Sequence, residues 1–297
     1  MAEEKISSLT IPRLQAKKAA GQKIVAVTAY DFPTAKLAEA AGMDIILVGD
    51  SLGMVVLGYE TTLPVTMEEM LHHTRAVARA VKRALLVADM PYFSFHLSAE
   101  DTIRNASRFL KEAGAKAVKI EGASPQRLKM VEALVEAEIP VMGHVGLTPQ
   151  SIHRFGHYRL RGGEVAEAKK IIEEAKALER AGAFSIVLEC MPEELAKVIT
   201  EEISIPTIGI GAGGFCDGQI LVFHDLVGLT EAGLPKFVKQ YANLGSIILE
   251  ALQNYAREVV EGTYPDEAHS YHLKPGLARF WKSSKGKRRV IELNSQR

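Results

Sequence analysis

Short apolar runs, each ending in or next to a polar residue, alternate along this chain with segments whose apolar positions recur at helical spacing. The runs are KIVAVTA from Lys23, DIILVGD from Asp44, ALLVADM from Ala84 and AKAVKIE from Ala115. They continue with IPVMGHV from Ile139, FSIVLEC from Phe184, IPTIGIG from Ile205 and QILVF from Gln219. Most are continuously apolar, the pattern of parallel strands covered on both faces. The intervening segments carry helix punctuation. Ser98 is an N-cap, with Glu100 and Asp101 suited to the positive end of the helix that follows. Ser124 and Pro125 open another helix, and the pieces ending at Gly114 and Gly182 stop on a residue that accepts the left-handed conformation.

Eight strands in βα alternation predict a closed (β/α)8 barrel, with a doubly wound open sheet as the alternative that pattern alone leaves open. Two features are irregular. Only GAGGFCDG separates the seventh and eighth strands, too little for an ordinary helix, and a short helix is the alternative to reading QILVF as a strand. Residues Ile11 to Ala20 predict an extra N-terminal helix placed to plug the barrel floor. No linker or low-complexity stretch interrupts the chain. The reading is therefore a single catalytic domain over 1–297, with the barrel over about 23–262 and a basic C-terminal tail over 274–297.

Composition narrows the partners. The 297 residues include 36 basic and 36 acidic side chains, a formal net charge of +0, so no global field favours nucleic acid or an anionic membrane. Two cysteines, Cys190 and Cys216, cannot form a disulfide framework and read as reduced thiols that pack or line a cavity. The polar N-terminus lacks a signal core, and no run approaches the ~20 apolar residues of a membrane span. The expectation is a cytoplasmic protein.

The candidate chemistry stands at the C-terminal ends of the strands, where barrels converge on one mouth. Asp50 and Ser51 end the second run, Asp89 the third, Lys119 and Glu121 the fourth, His144 the fifth and Glu189 the sixth. Each carboxylate has a structural alternative as a satisfied ion pair, but five consecutive strands with the feature point to a site. Asp50, Asp89 and Glu121 are hard oxygen ligands suited to Mg2+, which would leave positions for the carboxylate and keto oxygens of a 2-oxo acid. Lys119 and Glu121, two residues apart, should face the same way, and Lys119 would neutralise substrate charge or, alternatively, form a Schiff base. Glu189, after FSIVL, is the candidate general base, its proton affinity raised by an apolar setting; the alternative is an ion pair with Lys119 or an arginine. His144 either contacts substrate or holds a backbone carbonyl. His72 and His73 read as solvated or packed. GIGAGG from Gly209 lacks the helix a dinucleotide fingerprint requires, and TPQSIHRFGHYRLRGG has the profile of a lid.

At these residues the chain resembles the ketopantoate hydroxymethyltransferase family. The likeness lies in VGDSLGMVVLG from Val48, TTLPVT from Thr61, VADMPY from Val87, VKIEG from Val118, GHVGLTPQS from Gly143, VLEC from Val187, GIGAG from Gly209 and DGQILV from Asp217. It runs from about Thr28 to His272 in family order. The resemblance implies a (β/α)8 barrel that transfers a hydroxymethyl group from 5,10-methylenetetrahydrofolate to 3-methyl-2-oxobutanoate, giving 2-dehydropantoate for pantothenate synthesis. It implies Asp50 and Asp89 as ligands of one Mg2+ per subunit, with Glu121 as a further ligand, through water in one version. It implies Asp50, Ser51, Asp89 and Lys119 as oxo-acid contacts, Glu189 as proton acceptor, and a homo-oligomer, often a decamer. FGHY departs from the more usual FGGY, which puts the role of His157 in question. A phosphoenolpyruvate mutase or isocitrate-lyase-like carbon–carbon lyase is the rival enzyme on this scaffold, but no KKCGH-type motif is present. A non-catalytic barrel is the rival outside enzymes, and the full set of metal and acid–base candidates argues against it.

Overall fold

The computed structural model describes residues 8–230 and 233–274, and the chain divides into two compact units, Met1–Asn243 and Leu244–Arg297. The division precedes residue 262, to which the sequence reading carried the barrel. The first unit is built on a closed barrel of eight parallel strands, each paired with its neighbours in chain order and the last with the first. These are β1 (Ile24–Thr28), β2 (Ile45–Val48), β3 (Leu85–Asp89), β4 (Ala117–Lys119), β5 (Val141–Gly146), β6 (Ser185–Glu189), β7 (Thr207–Ile210) and β8 (Gly218–Leu221). Every expected strand is present and the open-sheet alternative falls. QILVF is a strand as far as Leu221, and its final Phe223 begins a short helix.

The helices that follow the first strands are α2 (Phe32–Ala40), α3 (Leu52–Val55), α4 (Met67–Ala80), α5 (Ala99–Lys111) and α6 (Pro125–Glu136), after the N-terminal α1 (Ile11–Ala19). Next come α7 (Ile152–Phe155), α8 (Val165–Arg180), α9 (Glu193–Glu202) and α10 (Phe223–Leu226). Ser98 and Ser124 cap α5 and α6 by accepting from the Asp101 and Arg127 amides, and Gly114 and Gly182 follow α5 and α8 with left-handed φ. Between β7 and β8 the chain returns through residues 211–217 without a helix.

Both faces of the strands are apolar because each faces its own core. On β2, Ile45 and Leu47 belong to the cluster inside the barrel, whereas Ile46 and Val48 belong to the one between strands and helices. That is the physical content of the continuous apolar runs. The inner cluster includes Leu14 of α1, fully buried, together with Ile24, Ala26 and Ile45. Lys17 and Lys18, on the same helix, pair with Asp44 at 2.6 Å and Asp217 at 3.0 Å. Helix α1 thus plugs the barrel floor, as its sequence led us to expect. Leu14→Ala should lower unfolding stability by about 2–5 kcal/mol, the range for deleting a buried leucine side chain. Urea titration checks this, and a loss under 1 kcal/mol would mean that the plug carries little of the fold.

The second unit contains α11 (Leu244–Glu261) and a 3-10 turn, Glu267–His269, capped by Asp266, which accepts from the His269 amide. The basic tail expected over 274–297 lies, but for its first residue, outside the described residues. Among the described residues no helix is long and apolar enough to cross a membrane.

Candidate active site

The strand-end residues Asp50, Ser51, Asp89, Lys119, Glu121, His144 and Glu189 all line one cavity of about 750 Å³ at the barrel mouth. Their convergence follows from parallel register: Val48 pairs with Ala88, Asp89 with Lys119, and Gly146 with Glu189, so like positions end at one level. The barrel brings together every residue singled out for chemistry.

The centre of the cluster is an ion pair. Lys119 donates to Asp89 Oδ1 at 2.6 Å, both side chains being buried, while Asp89 Oδ2 accepts from the Asp50 amide at 3.0 Å. Burial alone would drive Lys119 neutral, but Asp89, Glu121 and Asp50 outweigh it and raise its pKa. The ammonium stays charged, so the Schiff-base role, which needs a neutral amine, is disfavoured. Asp50 is pushed well above the usual carboxylate range by burial and then by repulsion from Asp89 and Glu121. Burial would raise Glu121 too, but His144, Lys119 and the Gln150 amide hold it below its ordinary value.

His144 lines the cavity and does not hold a backbone carbonyl, one of the two roles read from the sequence. It is 1 % exposed, with Nδ1 3.6 Å from Glu121 and Nε2 3.2 Å from Glu189, and neither nitrogen has a backbone carbonyl partner. Burial and Lys119 would lower its pKa, but Glu121 and Glu189 together push it up to about 9. His144 therefore stands as an imidazolium between two carboxylates. The charged neighbour of Glu189 is this ring, not Lys119 or an arginine. Glu189 keeps about 16 % of its side chain exposed to the cavity, a wetter position than FSIVL suggested.

The strand end at Glu189 is held under backbone strain. Cys190 has φ 51°, and its amide donates to the Ile210 carbonyl while its carbonyl accepts from the Arg161 amide. A non-glycine residue there costs on the order of 1–3 kcal/mol, a burden typical of functional sites. Opposite it, Gly146 has φ 96°, and a side chain at that position would collide with the Glu189 carbonyl. Both cysteine thiols are pushed up, Cys190 by burial and then Glu189, Cys216 by burial to about 11, so neither is an activated nucleophile.

Two contributors went unmarked in the sequence. Gln150 donates through Nε2 to Asp50 at 2.9 Å and to the Met90 carbonyl, and its amide donates to Glu121 at 3.0 Å. It pins two carboxylates from the turn Pro149–Ser151 that begins the lid segment, and nothing in TPQS signals that reach. Tyr30, buried just past β1, shares a 2.8 Å hydrogen bond with Ser51 Oγ, and its carbonyl meets His73 Nδ1. The rule that found the other strand-end residues would have found it. In the lid, His157 is exposed, and its neighbour Tyr158 lines the cavity.

Among the described residues no set of three or more histidine, cysteine, aspartate or glutamate side chains closes into a metal cage. The charge balance nevertheless suits a hard cation. Asp50, Asp89, Glu121 and Glu189 share the cavity with Lys119 and His144, and after burial it is repulsion from Asp89 and Glu121 that raises Asp50. Mg2+ needs only one or two carboxylates, because water and substrate oxygens complete its shell.

A family model described as ketopantoate hydroxymethyltransferase matches residues 8–267. The 3-methyl-2-oxobutanoate hydroxymethyltransferase of Thermoanaerobacter pseudethanolicus is 57 % identical, the match covering 92 % of this chain and 98 % of that protein. The protein of the same name from Syntrophomonas wolfei is 52 % identical over 91 % of this chain and 97 % of its own length. Among solved structures, 2,3-dimethylmalate lyase, a PEP mutase/isocitrate lyase superfamily member, superposes with TM-score 0.56 at 14 % identity, covering 93 % of each chain. At that identity the likeness establishes the barrel fold and nothing about the reaction.

Proposed function

The chain belongs to the ketopantoate hydroxymethyltransferase family, and from that premise we propose how its barrel mouth carries out the family's reaction. The reaction moves the one-carbon unit of 5,10-methylenetetrahydrofolate to C3 of 3-methyl-2-oxobutanoate, with water supplying the hydroxyl oxygen, to give 2-dehydropantoate and tetrahydrofolate. The observation that carries the assignment of roles is the convergence of Lys119, His144 and the carboxylates Asp50, Asp89, Glu121 and Glu189 on a single cavity.

Asp50 and Asp89 would hold Mg2+, with Glu121 beside them. Bound there, the ion supplies positive charge opposite the keto oxygen, where negative charge develops. Lys119, kept protonated, sets a second positive charge near the oxo acid, and Ser51, oriented by Tyr30, offers a hydroxyl. Glu189 takes the proton from C3. His144 holds that carboxylate from behind at 3.2 Å and so fixes the direction in which it accepts. The lid, tied at Gln150 to Glu121 and at Arg161 to the Cys190 carbonyl, brings Tyr158 over the cavity and limits entry of water. The homodecamer and the cytoplasmic setting belong to the same proposal.

The test is an assay of the full chain with 3-methyl-2-oxobutanoate, 5,10-methylenetetrahydrofolate and Mg2+, detecting 2-dehydropantoate. We expect product with all three, none after EDTA, and recovery when Mg2+ is returned. Full activity in metal-free enzyme would sink the cation's role, and absence of product under every condition would sink the reaction.

A further inference from the structure

Polar atoms buried without a hydrogen-bond partner are unevenly spread in this chain. Apart from His144, whose neighbours are two carboxylates, the described residues that carry one are Thr62, His96, Gln150, Arg161, Ser185 and His224. Thr62 and His224 line the mouth cavity. His96, Gln150 and Arg161 line a second cavity, of about 560 Å³, that plays no part in the chemistry above. Gln150 is 7 % exposed, and its orphan is Oε1; Arg161 has two, Nε and Nη1. A buried polar atom left unpaired costs stability, so a cavity wall that keeps several of them is completed by a ligand.

This second cavity is lined from β5, α6 and α8, with α7 of the lid contributing Arg154 and Phe155. Its carboxylates are matched. Glu167 meets Arg161 at 2.5 Å, Glu174 meets Lys170 at 3.6 Å and Glu173 meets Lys176 at 3.4 Å. Glu121, which lines both cavities, is held by His144 and the Gln150 amide. Its arginines are not matched. The Arg127 guanidinium donates to the Phe95 carbonyl and lies over that ring, with no carboxylate in reach. Arg154 and Arg180 form no hydrogen bond or ion pair among the described residues. Arg161, 4.0 Å over the Phe155 ring, adds its two orphan donors. The excess is positive, and guanidinium forks suit phosphoryl oxygens. Gln150 adds a second requirement. Its Nε2 donates to Asp50 and to the Met90 carbonyl, which fixes the amide so that Oε1 can only accept. The occupant must therefore bring a hydroxyl as well as an anion, and a volume in the range of roughly 300–1,000 Å³ has room for both.

We propose that this cavity is a second ligand site, for a small hydroxylated phosphate ester that is neither substrate nor product of the mouth. Its phosphoryl group takes Arg127, Arg154 and Arg161, and its hydroxyl donates to Gln150 Oε1. Two residues carry occupancy to the mouth. Gln150 holds Asp50 through the other end of the same amide, and the Arg161 amide donates to the carbonyl of Cys190, next to Glu189. A phosphoryl group shared by Arg154 on α7 and Arg127 on α6 ties the lid to the barrel's outer layer, so the ligand slows opening of residues 152–163.

The experiment uses the full-length, metal-free protein and two probes, glycerol 3-phosphate and inorganic phosphate, with binding read by calorimetry. Both should bind saturably, and glycerol 3-phosphate more tightly, because it alone brings a carbon-borne hydroxyl for Gln150. Arg127→Gln should weaken glycerol 3-phosphate about ten- to a hundredfold, the worth of a hydrogen bond to a charged group. Arg154→Gln, at an exposed and screened position, should weaken it severalfold. Arg127→Lys should recover part of the loss, which separates charge from the packing of Arg127 on Phe95. Arg104→Gln, on the exposed face of α5 away from the cavity, should change nothing. In hydrogen exchange followed by mass spectrometry, saturating glycerol 3-phosphate should slow the amides of residues 152–163 severalfold in the wild type and not in Arg154→Gln. Absence of saturable binding up to about 10 mM, a Kd too weak for a built site, overturns the proposal. So does wild-type affinity in both cavity variants, or an equal loss in Arg104→Gln, which would mean diffuse screening. Displacement of glycerol 3-phosphate by tetrahydrofolate overturns it too, because the cavity would then belong to the reaction's own ligand. Binding that leaves the exchange of residues 152–163 unchanged overturns the tie to the lid.

Discussion

Glu189→Gln should slow exchange of the C3 proton of 3-methyl-2-oxobutanoate by roughly 10²–10⁴-fold, the usual worth of a positioned general base. In barrier terms that is about 3–5 kcal/mol. Glutamine is close to isosteric and can still meet His144, so the cavity should keep its shape. The oxo acid should still bind, because its grip comes from the cation, Ser51 and Lys119, none of which contacts Glu189. Exchange can be followed by NMR in D2O with Mg2+ present and no folate, which isolates proton transfer from carbon–carbon bond formation. An unchanged rate would mean that another group accepts the proton. Binding that falls in parallel with exchange would make Glu189 a structural partner of His144. His144→Gln separates the two cases: it should reduce exchange less than the loss of Glu189 does, since the carboxylate remains but is no longer held.

The parallel sheet was legible because its strands must be apolar on two faces to lie between helices, whereas closure was not, since an open doubly wound sheet meets the same requirement. The candidate site was legible for a related reason. A charge that ends an apolar run cannot be buried alone, so Asp50, Asp89, Lys119, Glu121, His144 and Glu189 pointed to a cluster from the sequence itself. What stayed hidden were the partners within it. The sequence ties Lys119 to Glu121 by spacing, yet its hydrogen bond is to Asp89, one strand away. His144 sits between two carboxylates because β5 lies between β4 and β6, a fact of barrel closure. Gln150 reaches Asp50 across 100 positions of sequence from a helical turn that looked like the start of a loop. The left-handed Cys190 has no composition signal at all, because strain of this kind is imposed by the hydrogen bonds to Ile210 and Arg161 on either side of it.

The ion pair at the centre gives the second large effect, and the two ways of breaking it should differ in their dependence on pH. Asp89→Asn removes one proposed ligand and one of several buried negative charges. Lys119 keeps Asp50 and Glu121 nearby, so folding should suffer less than the about 3–5 kcal/mol typical of a broken buried pair. Mg2+ affinity and oxo-acid affinity should fall together, by more than the roughly 10–100-fold that loss of an outer-shell partner costs a metal site. Lys119→Met does the opposite: Asp50, Asp89 and Glu121 are left in one buried site without their ammonium. Asp50 already has a raised pKa in the folded chain, and removing the lysine raises it further. A carboxyl whose folded pKa lies above its unfolded value contributes stability at low pH that is lost as pH rises through the folded value. Metal-free Lys119→Met should therefore be nearest to wild-type stability below about pH 4, the ordinary range of an unfolded aspartate, and progressively worse as pH rises. Added Mg2+ should recover part of the loss, because a cation replaces the missing charge. Asp89→Asn should show neither the steep pH dependence nor the rescue. Denaturant melts of the two variants at several pH values, with and without Mg2+, decide the matter. Equal pH profiles would mean that the cluster does not behave as one coupled set of charges, and the assignment of Asp89 to the cation would lose its physical basis.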